Sequence, residues 1–154
     1  MKWTSHKILT FSITLYIFGN AVYALVSSIG SIFPDLIEGN GFKHNIGSQR
    51  YNKWRKNHRG VSHLLVLYIC SAIVLFLLYR AEKGVWVVQG YSPYILGVFF
   101  FLGCCGHILQ DAVCGKVPIV SPKKRYGIKL FRVGSITEHA ITIVLSIILV
   151  INSL

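Results

Sequence analysis

Apolar residues fall into four long blocks: Ile8 to Phe33, Val61 to Tyr79, Tyr94 to about Val113, and Ile136 to Ile151. Charge is concentrated between them. A helix needs about 20 apolar residues to cross the hydrocarbon core of a bilayer. The second and third blocks meet that length, and the fourth does when slightly extended. The pattern predicts an all-α, polytopic helical membrane bundle of four to five hydrophobic helices, folded as a single membrane-embedded domain over residues 1–154.

The first block is ambiguous. As one helix it would be roughly 39 Å long, which requires tilt. Gly19-Asn20 in its middle is a turn-forming pair, and a turn there would give an N-terminal re-entrant hairpin. The apolar run continues past this pair to Phe33, which argues for retention of the segment over its removal as a signal peptide.

Charge orients the blocks. The segment from Pro34 to Gly60 carries Lys43, Arg50, Lys53, Arg55, Lys56 and Arg59, and that from Lys116 to Gly134 carries Lys116, Lys123, Lys124, Arg125, Lys129 and Arg132. The link from Arg80 to Tyr91 has only Arg80 and Lys83, offset by Glu82. The positive-inside rule therefore places the two basic segments in the cytoplasm and the link outside. A hairpin keeps Lys2 and Lys7 inside as well, and is favoured slightly for that reason. The net charge of +11 would suggest nucleic acid in a soluble chain, but positive-inside loops account for it, so no nucleic-acid partner is expected. Trp3, Trp86, Tyr91 and Tyr94 lie near block ends, where amphipathic aromatics settle at an interface. The four cysteines form no CxxC pair and read as small packing residues.

Only five acids and six histidines occur in the chain, and most stand at block ends predicted to face the cytoplasm. His107 and Asp111 lie four apart in an apolar helix, on one face. Such a pair either ligates a divalent cation or forms a structural His–Asp hydrogen bond. His58 and His63 flank Arg59 and Gly60 at the entry of the second block. Arg59 suits a phosphate oxygen or serves as a positive-inside anchor. Asp35 follows Pro34 at the exit of the first block, and Glu38 reads as solvated. Ser135 and Glu138 match a capping box, which competes with a role for Glu138 in chemistry. His6 shares a face of the membrane with Asp35 only if the first block turns back. His44 reads as a solvated loop residue.

Taken in order, Ser5-His6, Gly30-x-x-x-Pro34-Asp35, His58-Arg59-Gly60-Val61-Ser62-His63, Gly106-His107-x-x-x-Asp111 and Gly134-Ser135-x-x-Glu138 resemble the YdjM-like family of bacterial membrane-bound, metal-dependent hydrolases. The order of ligand types is distantly similar to zinc-dependent phospholipase C. The resemblance implies a multi-pass protein of the bacterial inner membrane, and a divalent metal, zinc by analogy. Its ligands would be Asp35, His63 or His58, His107 and Asp111, with Glu138 on a second metal or acting as catalytic base; His6 is a further candidate ligand if the first block turns back, and Arg59 a candidate for holding an anionic substrate in the reaction. The implied substrate is a phosphoester or a membrane lipid. One departure is that the family's Pro-Asp-x-Asp reads Pro34-Asp35-Leu36-Ile37 here, with Glu38 next. The alternative is a non-enzymatic small membrane protein with a structural metal site or a buried polar network.

Overall fold

A computed structural model of the chain describes residues 1–38, 48–49, 60–81 and 91–153. His44, His58, Arg59 and Trp86 lie outside the described residues. The first apolar block is two helices, α1 (Trp3–Phe18) and α2 (Ala21–Gly30). Gly19 ends α1 with φ of 60°, a conformation that only glycine adopts without strain, and its N–H reaches the Leu15 carbonyl at 2.8 Å. Asn20 then caps α2, its side-chain oxygen accepting from Val22 N at 2.9 Å and Tyr23 N at 3.2 Å, which satisfies donors that a helix start leaves open. The chain turns back. Ser28 Oγ donates to the Lys7 carbonyl at 3.1 Å across the pair, so the two helices run antiparallel and His6 returns to the end that holds Asp35.

A short helix, α3 (Phe33–Glu38), continues from α2. A 3-10 turn (Val61–His63) leads into α4 (Leu65–Ala81). Ser92 and Pro93 open the longest helix, α5 (Pro93–Cys114), with proline where no intrahelical N–H is needed. A two-stranded antiparallel ribbon, β1 (Val117–Pro118) with β2 (Arg125–Tyr126), follows, and α6 (Ile136–Ile151) closes the described fold.

Backbone approach sets the packing of α2 on α5. A Cβ on Gly103 would lie 2.0 Å from the Ser27 carbonyl oxygen, and one on Gly30 would lie 2.0 Å from that of Phe100. Ser27 Oγ donates to the Phe99 carbonyl at 2.8 Å and Cys104 Sγ meets the Gly30 carbonyl at 3.2 Å. Small residues at the crossing are how helices associate where lipid removes the hydrophobic drive. Cys104, Cys105 and Cys114 are buried free thiols and Cys70 is exposed, in line with a packing role for the first three.

Burial is inverted relative to a water-soluble protein. The buried residues of α1 are Ser5, His6, Thr10, Ser12 and Thr14, and those of α6 are Glu138, Thr142 and Ser146. Exposed positions on the same helices include Ile13, Ile17, Phe18, Ile143, Val144 and Ile147. Polar faces turn inward and apolar faces outward, which suits a hydrocarbon solvent. By length and composition, Ala21–Glu38 and Pro93–Cys114 can each cross a membrane, while Leu65–Ala81 and Ile136–Ile151 are shorter apolar helices.

Candidate metal centre

Five elements converge at one end of the helices: the start of α1, α3, the 3-10 turn, the second half of α5 and the start of α6. Three imidazoles meet there. His6, His63 and His107 are each 0% exposed, and in each the Nδ1 atom is engaged by an oxygen. His107 Nδ1 donates to the Ser31 carbonyl at 2.6 Å. His63 Nδ1 lies 3.0 Å from Glu38 Oε1. His6 Nδ1 lies 2.8 Å from Gln110 Oε1, and the amide's Nε2 donates onward to Thr10 Oγ1 at 2.8 Å. These acceptors place the Nδ1 proton on every ring and turn every Nε2 inward, the orientation that outer partners impose on metal-ligating histidine.

The three Nε2 atoms face two carboxylates. Asp35 Oδ1 is 3.4 Å from His63 Nε2 and 3.5 Å from His107 Nε2. Asp111 Oδ2 is 3.8 Å and 3.9 Å from the same two nitrogens. Asp111 Oδ1 lies 3.4 Å from His6 Nε2 and pairs with the Met1 amino group. Among the described residues, the ligand atoms form two compact groups, Asp35–His63–His107 and His6–His107–Asp111. His107 belongs to both, and its ring stacks on that of His6 with centroids 3.9 Å apart.

The chemistry of this donor set suits a cation. His63 Nε2 and His107 Nε2 are 3.2 Å apart, so both cannot present lone pairs there without a positive charge nearby. His6 Nε2 and Asp35 Oδ1 are buried with no hydrogen-bond partner, a costly arrangement that a cation relieves. Where a proton supplies that charge it falls on His63: burial alone would push its pKa down, but the carboxylates of Asp35, 3.4 Å from Nε2, and of Glu38, 3.0 Å from Nδ1, outweigh this and raise it to about 9.

Of the residues singled out in the sequence, His6, Asp35, His63, His107 and Asp111 meet here. Glu138 stands outside both groups. It is fully buried, with Oε1 accepting from Lys2 N at 2.8 Å and Oε2 from Gly134 N at 2.7 Å. Half of the expected capping box is present, Ser135 Oγ accepting from Glu138 N at 3.2 Å, while the glutamate side chain reaches past its usual capping partner to pin the start of the chain beside Asp111. His58 and Arg59 lie outside the described residues.

Three residues carry roles that the sequence reading did not give them. Glu38, expected to be solvated, binds His63 Nδ1, Gly60 N at 3.1 Å and Ser62 Oγ. Its spacing of three from Asp35 on one short helix was the available signal. Trp3, expected at the interface, donates from Nε1 to Asp35 Oδ2 at 2.7 Å. Gln110 orients His6, and its polarity within an apolar helix was the corresponding sign.

An inward polar face, apolar flanks and a buried histidine–carboxylate cluster define a helical membrane protein with a candidate metal centre. The YdjM inner membrane protein family matches residues 1–153, and the chain belongs to that family. No curated protein and no solved structure matches it.

Proposed function

We propose that the chain is a multi-pass hydrolase of the inner membrane, holding a divalent metal, zinc by its donor types, on Asp35, His63, His107 and Asp111. The observation that carries this reading is the common orientation of three buried imidazoles, each fixed through Nδ1 so that Nε2 faces carboxylate oxygen. His107 has one nitrogen left for an ion, so the two ligand groups that share it cannot each hold their own ion through that atom. A bound divalent ion supplies Lewis acidity, polarising a phosphoryl or carbonyl group and making water a better nucleophile near neutral pH.

The chain's own residues do the rest. Glu38, the Ser31 carbonyl and Gln110 hold the rings in register. Trp3 leaves Asp35 Oδ1 directed at the imidazoles. Glu138 fixes Met1 and Lys2 against Asp111. Four to five membrane-embedded helices, with α1 and α2 as a re-entrant hairpin, would put this end of the bundle at the cytoplasmic face. The basic segments there attract anionic substrates, and a phosphoester or lipid headgroup is the favoured class. Arg59 belongs to one of those segments.

One observation favours the second reading, a structural metal site: the histidines are wholly buried and Asp111 is 2% exposed. A structural site is closed by four protein ligands, whereas a catalytic one keeps an open position. X-ray absorption on the zinc-loaded, detergent-purified protein separates them. The hydrolase reading expects a coordination sphere completed by a non-protein oxygen, with phosphodiester turnover lost in His63→Ala. A closed protein-only sphere and no turnover would overturn it.

A further inference from the structure

Beside the metal centre lies a cleft of about 590 Å³, walled by α1, the end of α5 and the start of α6 and roofed by residues 130–132. Its size is that of a ligand pocket. Its lining is of two kinds: the polar Arg132, Ser135 and Thr137, of which Arg132 and Thr137 are exposed, and the apolar Leu9, Val113 and Leu145. Gln110 and Met1, which touch His6 and Asp111, also line it. Thr142, 2% exposed, lines the cleft with its hydroxyl unpartnered.

The basic part of the lining lacks counter-charge. No acid occurs between Asp111 and Glu138, while Lys116, Lys123, Lys124, Arg125, Lys129 and Arg132 do. Both flanking acids are engaged, Asp111 at the imidazoles and Glu138 at two backbone amides. Among the described residues no carboxylate pairs with Arg132. Around these cations Tyr126, Ile128 and Leu130 are exposed, an apolar–basic mixture suited to the headgroup zone of an anionic bilayer. Backbone bonds from Ile128 N to the Ala112 carbonyl at 2.8 Å and from Leu130 N to the Val113 carbonyl at 2.9 Å fix this segment to the end of α5.

We propose that the cleft binds one anionic phospholipid, its phosphate at Arg132 and its acyl portion along Leu9, Val113 and Leu145. That this lipid is the substrate rests on the metal-hydrolase reading, but its binding does not. Charge complementarity selects the occupant, and the apolar wall matches an acyl portion that a soluble phosphate lacks.

The test is native mass spectrometry of the detergent-purified, zinc-loaded protein titrated with phosphatidylglycerol and, separately, with phosphatidylcholine of the same chains. Wild type should retain phosphatidylglycerol roughly tenfold more tightly, about 1.4 kcal/mol, because both lipids carry the phosphate but the quaternary ammonium of phosphatidylcholine neutralises it and is repelled by the unpaired basic residues. Arg132→Ala, at an exposed position, should lower that to the phosphatidylcholine level, and Arg132→Lys should restore part of it. Leu145→Trp, which fills the cleft, should lose both lipids. Zinc content measured on the same samples should stay unchanged, and helicity by circular dichroism certifies the fold of each variant. Equal retention of the two lipids by wild type would overturn the proposal. So would retention of phosphatidylglycerol indifferent to Arg132→Ala, or a cleft sealed in a dimer that carries no lipid. Lipid binding in a protein that takes up no zinc would instead sink the hydrolase and leave the lipid site standing.

Discussion

At the residue scale the centre depends on which nitrogen of each histidine is occupied. His63 shows this most clearly. Its pKa rises from the ordinary 6.5 to about 9 because Asp35 and Glu38 hold its charged form. Without metal, that charge stabilises the fold fully below about 6.5, and the contribution is lost as pH climbs through about 9. A metal must displace the same proton. Zinc uptake should therefore release protons and tighten with rising pH up to about 9, as measured by calorimetry in buffers of different ionisation enthalpy. Uptake that is flat across this range would contradict the role given to His63. Glu38→Gln should weaken zinc binding roughly 10–100-fold, as loss of a ligand's outer partner does, and an unchanged affinity would remove Glu38 from the account.

Much of this residue-level detail was legible only in part. His107 and Asp111 could be paired from helical spacing alone, and Asp35 and His63 from their places at block ends. Glu38 could not be separated from a solvated acid, because its partner His63 comes from a segment 25 positions away. The bond from Trp3 to Asp35 was not legible for the same reason: Asp35 becomes its neighbour only once the first block folds back.

At the element scale the turn at Gly19-Asn20 decides the site, since it alone returns His6 and Trp3 to Asp35. Gly19→Val would force a β-branched side chain to φ of 60° and should destabilise the hairpin by about 1–2 kcal/mol. Unfolding in detergent, followed by circular dichroism, measures this. Gly103→Ala should cost about 1–3 kcal/mol as overpacking against the Ser27 carbonyl. Because Ser31, at the end of α2, orients His107, Gly103→Ala should also reduce zinc affinity. A variant as stable and as well loaded as wild type would show that the close α2–α5 crossing is not needed. Hydropathy announced these helices but not this crossing. A glycine in an apolar block carries no mark of what approaches it.

At the scale of the whole molecule, polar residues inside and apolar residues outside put the chain in a bilayer, and its family is one of inner membrane proteins. The hairpin predicts that the start of α1 and both basic segments share one side. Single cysteines at Lys2 and Lys124, in a background with Cys70 replaced, should therefore both resist an impermeant thiol reagent in intact cells and react after lysis. Labelling of Lys2→Cys in intact cells would mean that α1 and α2 do not return to the same face.

The shared pocket of Asp35, His63, His107 and Asp111 is tested most directly by elemental analysis of detergent-purified protein, wild type beside Asp111→Ala and His107→Ala, with helicity checked on the same samples. The account predicts stoichiometric zinc in wild type and its loss from both variants with helicity retained. Wild-type protein that folds normally and holds no metal when zinc is supplied would contradict it.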